Sequence, residues 1–201
     1  MKKLLLLPLT ILFFTQSLKS QQSGIEKEEW ADKPVIHPIA PEYRNEPAVI
    51  ILDRRILEYI DDWSGEVQEY YTLHKIIHVN DDKGIEYFNK IYLGIGDNKN
   101  IVDIRARTIL PDGKVIVLDK HNIKDMKEED GSAYKIFAME GMVKGSEVEF
   151  SYTFEKESTY FGREVVQGKF PVLQTNMELI APNRLVFEVK PYHCDPESRT
   201  D

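Results

Sequence analysis

Apolar and polar residues alternate from Ile101 to Leu110. Val102, Ile104, Ala106, Thr108 and Leu110 fall on one face, with Asp103, Arg105 and Arg107 on the other, which is the two-residue period of a strand half-buried on a sheet. Pro111-Asp112-Gly113 follows. It predicts a turn, because proline pre-sets φ, aspartate accepts local backbone hydrogen bonds and glycine tolerates positive φ. Val115 to Leu118 is apolar on both faces. The stretch from Ile101 to Asp119 therefore reads as a hairpin, with a first strand facing water on its polar side and a partner sunk deeper in the core.

The pattern continues on both sides of that hairpin. Ala48 to Ile60 is apolar-rich with a charged break at Asp53-Arg54-Arg55. Helix competes there, since Ile50, Leu57 and Ile60 fit a helical spacing, but the β-branched succession Val49-Ile50-Ile51 favours strand. Asp61 to Gly65 reads as a turn. Val67 to Val79 alternates again, with Val67, Tyr71, Leu73, Ile77 and Val79 opposite Gln68, Thr72, His74 and His78. Asn80 to Gly84 reads as a second turn. Ile85 to Leu93 is open: Ile85, Phe88, Ile91 and Tyr92 suit a short helix, while the aromatic content also suits a strand. Gly94 to Asn100 reads as a loop and His121 to Ser132 as charged connection.

Tyr134 to Met139 reads as a short strand and Gly141 to Gly145 as a turn. Glu147 to Phe154 carries the cleanest alternation, with Val148, Phe150, Tyr152 and Phe154 inward and Glu147, Glu149, Ser151 and Thr153 outward. Val165 to Gln174, and then Leu185 to Val189 with Leu185, Phe187 and Val189 inward, complete the set. Turn signals recur roughly every ten to fifteen residues without a long helical pattern, which predicts an all-β, antiparallel β-sandwich. Pro191 and Pro196 follow the last strand closely and Cys194 to Asp201 is polar. The sandwich is therefore expected to be incomplete at its C-terminus, with an open edge that invites self-association.

Lys2 and Lys3, the apolar run Leu4 to Phe14 and the polar stretch ending Leu18-Lys19-Ser20 form a secretory signal over residues 1–20. Residues 21–47 carry Pro34, Pro38 and Pro41 and read as a linker or loosely docked N-terminal arm. The β-sandwich domain then spans 48–190, and 191–201 is a C-terminal tail. The net charge is −8, and loss of Lys2, Lys3 and Lys19 with the signal takes it to −11. Such acidity repels phosphate backbones and argues against nucleic-acid binding. Cys194 is the single cysteine, so no intramolecular disulfide forms, and no cysteine near Ser20 supports a lipid anchor. The expected location is periplasmic or extracellular, with no membrane span in the mature protein.

Candidate chemistry is sparse. His74 and His78 would sit side by side on a helix, but on a strand they lie roughly 13 Å apart, too far for one metal ion, and they read as solvated face residues. Asn80, Asp82 and Gly84 faintly resemble a calcium loop without its closing glutamate, and an ordinary hairpin turn explains them better. Glu147 and Glu149 lie on an outward strand face with solvent around them. Neither is expected to have the raised pKa that acid–base work needs, and they read as a charged face that discourages edge pairing. Cys194 beside His193 resembles a thiol and its base, yet strand neighbours point apart and the segment reads as loop. Trp30, Trp63 and the ten tyrosines offer a carbohydrate platform in principle, though core packing is the default. No catalytic, cofactor-binding or metal residue is assigned.

The hairpin segment Val102 to Lys114, the strand Gly145 to Tyr152 and Phe170-Pro171-Val172, in that order, resemble domain of unknown function family 3857. This is the N-terminal β-domain found before transglutaminase-like domains in bacterial envelope proteins. The resemblance spans roughly Ala48 to Val189. It implies a secreted, non-catalytic β-sandwich module that docks or presents substrate to a transglutaminase-like (papain-like thiol) domain, whose cysteine, histidine and aspartate have no counterpart in this chain. An independent glycan- or peptide-binding module of the cell envelope is the alternative, and a hydrolase in its own right a third reading. The secreted protein should begin near Gln21. Intact mass measurement checks this, and a mass that retains residues 1–20 refutes it.

Overall fold

The computed structural model describes residue 25 and residues 28–62, 64–94, 99–129, 131 and 133–192. Among these described residues nine strands, β1 (Ala48–Asp61), β2 (Val67–Val79), β3 (Lys90–Gly94), β4 (Lys99–Ile109), β5 (Val115–Val117), β6 (Lys124–Lys127), β7 (Ala133–Ala138), β8 (Glu147–Lys156) and β9 (Thr175–Ile180), build two sheets. The larger has the order β5-β4-β8-β2-β1-β9 and the smaller β3-β7-β6. All neighbours are antiparallel except β1 and β9, which run parallel. The helix α1 (Asp82–Phe88) leads from β2 into β3. The fold is all-β with two facing sheets, as the alternation predicts.

Residues paired across a ladder share a face. Leu73, Ile77, Ile104, Ala106, Val148, Phe150 and Phe154 of the large sheet therefore meet Ile91 and Leu93 of β3 and Phe137 of β7 in one apolar core. The long strands β2, β4 and β8 supply the centre of this layer, and the small sheet covers only part of it. Residues 157–174 cover the rest: Tyr59 donates its hydroxyl to Thr159 O at 2.6 Å, and Thr159 N donates to Glu69 Oε2 at 2.7 Å.

Several elements differ from the sequence reading. Asp53-Arg54-Arg55 does not interrupt β1; the only irregularity in its pairing with β2 lies between Ile50 and Leu52. Opposite charges two residues apart share a strand face, so Asp53 and Arg55 pair with each other and the strand continues. Asn80 to Gly84 is not a hairpin turn. Asp81 accepts from Gly84 N at 2.9 Å and caps α1, so the open segment 85–93 holds both a helix end and a strand. The Pro111-Asp112-Gly113 turn stands as expected, with Gly113 at φ 85° and Asp112 accepting from Lys114 N. Its second strand, however, is not sunk in the core: β5 is a three-residue edge, and Val117 is 72% exposed.

The charged connection 121–132 contains β6, exposed along its whole length. Neither Val165 to Gln174 nor Leu185 to Val189 forms a strand. The outer edge of β1 is already filled from residue 171 onward, because Ile50 N donates to Pro171 O, Leu173 N donates to Ile50 O, Asp53 N donates to Gln174 O, and β9 follows. The edge of β1 is therefore closed to Leu185 to Val189. The open edge expected there belongs instead to β9.

Gly84 is the sharpest packing constraint. A Cβ built on it would stand 2.1 Å from Pro47 O, a backbone atom that cannot swing aside. Alanine in a helix normally gains about 1 kcal/mol over glycine. Here Gly84→Ala should instead destabilise by about 1–3 kcal/mol, measured by chemical denaturation; a stabilised variant would refute the close approach.

Candidate functional site

The face of the large sheet opposite the core is polar and buried. Cross-strand pairing puts His74 opposite Arg54 and Ser151, His78 opposite Glu147, and Arg107 opposite Glu149. Residues 28–37 of the N-terminal arm lie across it. His37 N donates to Glu147 Oε1 at 2.7 Å, and its ring Nδ1 stands 2.9 Å from Oε2 of the same carboxylate. Arg105 and Arg107 donate to the backbone oxygens of Glu28 and Ala31, each at 2.9 Å. The Trp30 ring stacks on His74 with centroids 5.5 Å apart, and the guanidinium groups of Arg105 and Arg107 approach it at 5.0 and 4.9 Å.

His74 and His78 are therefore not solvated, and Glu147 and Glu149 are not in water; all four are buried. The arm excludes solvent and the groups replace it for one another. His74 Nδ1 lies 3.0 Å from Glu28 Oε2 and its Nε2 3.0 Å from Glu149 Oε1. His78 Nδ1 lies 3.2 Å from Glu147, and Arg107 Nε donates to Glu149 at 2.6 Å. Nor does the glutamate pair guard an edge, since β8 runs between β4 and β2.

Burial by itself would raise the carboxyls of Glu147 and Glu28, but their histidine hydrogen bonds and, for Glu28, the neighbouring charge of Arg54 reverse this and hold both below the usual carboxylate range. Burial would lower His74, and its bonds to Glu149 and Glu28 raise it instead. Both imidazole nitrogens of His74 are engaged by carboxylates, so the ring has no free lone pair to serve as base for its neighbour Ser151. The cluster is built to hold the arm.

A second cluster lies on the core side of β1 and β2, where residues 157–174 cover the sheet. Arg55 donates from Nε and Nη2 to both oxygens of Asp53 at 2.9 and 3.0 Å, and from Nη1 to Glu164 at 2.6 Å. Lys75 Nζ reaches Asp53 at 3.1 Å, and the Tyr71 hydroxyl donates to Glu164 at 3.3 Å. Burial would raise Asp53, and the Arg55 bond with the charges of Lys75 and Arg55 holds it low; burial and the Glu164 charge push the Tyr71 phenol up. Among the described residues, a small pocket bordered by Thr108, Ile116, Leu118 and Met139 has a volume of about 10 Å³, room for about one water.

The third feature is apolar. Of fifteen strongly exposed large apolar side chains among the described residues, eight fall between Tyr160 and Tyr192. Tyr160 and Phe187 stack on Tyr59 of β1 at 6.0 and 4.9 Å, and Met177 of β9 lies beside Arg55. Phe161 and Val186, the chain neighbours of Tyr160 and Phe187, are 90% and 93% exposed.

Asn80 donates to Tyr43 O and Glu46 O, and Asp82 pairs with Lys144. Trp63, His193 and Cys194, like residues 1–20, lie outside the described residues. Glu28, Trp30 and His37 give no sequence signal, since no period marks the arm. Asp53 and Arg55 do: opposite charges two apart in a strand face one way. With Arg55→Met, Asp53, only 1% exposed, keeps just Lys75; the loss should be about 3–5 kcal/mol by chemical denaturation, and a loss below about 1 kcal/mol would show the pair to be solvated.

No helix among the described residues is long and apolar enough to cross a membrane. No curated protein matches the chain in sequence. A crystal structure of a "putative protease" from Parabacteroides distasonis is similar in fold, with a TM-score of 0.57 at 11% identity over 69% of this chain. This chain spans 29% of the length of that protein. The model of the family described as a domain of unknown function with a solved structure, DUF3857, matches residues 66–201, more than half of the sequence, and the chain belongs to that family.

Proposed function

We propose that this domain is a secreted, non-catalytic packing module of the cell envelope, which docks onto a transglutaminase-like, papain-type thiol domain or presents substrate to it. The observation that carries this reading is the run of exposed apolar side chains between Tyr160 and Tyr192, of which Leu173 and Met177 lie along the outer edge of β1, since exposed apolar surface marks sites of association. The ionisable clusters give binding and positioning chemistry: Glu147, Glu28 and Asp53 are held below the usual carboxylate range, and the histidine and arginine groups are spent on internal partners. The similar fold within a protein more than twice as long is consistent with a module that works beside another domain.

Independent glycan or peptide binding draws on a different surface. On the outer face of the small sheet, Tyr92 is exposed and 5.8 Å from Tyr134, with Met126 paired to Tyr134 across the ladder. Such rings stack on apolar ligand faces.

Sedimentation of the mature protein with a transglutaminase-like domain of a family member separates the two. Co-sedimentation that Phe161→Ser with Val186→Ser weakens about tenfold or more, and Tyr92→Ala leaves intact, is expected. Absence of co-sedimentation, with polysaccharide binding that Tyr92→Ala removes, would overturn docking in favour of the second reading.

A further inference from the structure

We propose that His74 is a proton-sensitive pin: the 28–37 arm stays closed over the polar face while His74 is an imidazolium, and loosens as the ring gives up its proton. This is independent of the docking reading. It rests first on geometry. Carboxylate oxygens face both ring nitrogens at 3.0 Å, Glu28 from the arm and Glu149 from β8. Carboxylates only accept. Both bonds therefore need both N–H groups, which only the imidazolium has. A neutral ring keeps one N–H and turns a lone pair on the other carboxylate.

The remaining contacts decide which bond fails. Glu149 is also held by Arg107 Nε at 2.6 Å and is fixed in a central strand. The Glu28 carboxylate is left with Arg54 at 3.2 Å and the nearby charge of Arg105, and Arg54 is shared with Glu178 of β9, while the arm backbone keeps its bonds from Arg105 and Arg107. Loss of the proton thus falls on the arm. It also removes the cation from beneath the Trp30 ring, leaving Arg105 and Arg107 as that ring's charged neighbours. The far end of the arm is pinned separately, by Glu147 between His37 and His78.

The direction in pH follows from the same contacts. His74 has its pKa raised by folding, so its contribution is complete below about 6.5, the unfolded value, and is lost as pH rises through the raised value. Glu28 and Glu147 are held low, so theirs is complete above about 4.3 and is lost as pH falls through the lowered values. The arm is closed between these limits. The alkaline limb belongs to His74.

The test follows Trp30 in a Trp63→Phe background from about pH 6 to about pH 9.5, spanning the ordinary histidine range and above, with far-ultraviolet circular dichroism alongside. Emission intensity alone answers to the ring's proton, so acrylamide access to Trp30 is the deciding readout. Access should rise about twofold or more across a one-proton transition while the strand spectrum stays constant. Glu28→Gln should abolish the transition, because a neutral amide accommodates a neutral imidazole, and His74→Gln should be open throughout. Constant acrylamide access across the range, a transition that coincides with loss of strand signal, or one that survives in Glu28→Gln would each overturn the proposal. The titration of the Trp63→Phe protein stands by itself if the Glu28 or His74 variant fails to fold.

Discussion

An ionised carboxylate stays out of water only if cations and donors replace what the water supplied. Asp53, Glu69, Glu147, Glu149 and Glu28 all meet that condition through other elements or through strand neighbours on the same face. The partners come from β1, β2, β4, β8 and the arm. Strand order and register are thereby specified twice, once by the apolar core and once by charge. A one-residue slip of β8 would carry Glu147 and Glu149 into the apolar layer and Val148 and Phe150 onto the polar face, so both criteria reject it.

The legible part of this fold was the part with one apolar face. β2 and β8 alternate cleanly because their inward residues meet Phe137, Ile91 and Leu93; β4 does so only from Ile104 onward, since a bulge between Ile101 and Asp103 turns Ile101 inward and leaves Val102 exposed, and the Pro111-Asp112-Gly113 turn carries its own local chemistry. The side assignment of His74, His78, Glu147 and Glu149 also followed from period. Their burial did not, because it depends on Glu28, Trp30 and His37, which lie in a proline-punctuated segment without periodicity. Leu185 to Val189 has a stronger strand pattern than Thr175 to Ile180, yet the weaker segment is the strand. The edge of β1 admits one neighbour, and the segment that reaches it first in the chain takes it.

The family match begins at residue 66, but the folded unit begins earlier. β1 lies between β2 and β9, and the arm covers the sheet beyond it. Fold similarity at 11% identity is intelligible for such a structure, since an alternating pattern can be met by many residue choices.

The parallel pairing of β1 with β9 has a consequence for synthesis. Arg54 and Glu178, joined across that pair, are 124 residues apart in the chain, whereas β1 and β2 form a local hairpin. As the chain emerges from its N-terminus at about 5–20 residues per second, the hairpin is complete many seconds before β9 exists. During that interval the outer edge of β1 is a bare template for neighbouring nascent chains. The charges Asp53, Arg54, Arg55 and Glu58, which look out of place in a strand, sit along that edge and discourage a foreign strand from taking it before β9 arrives.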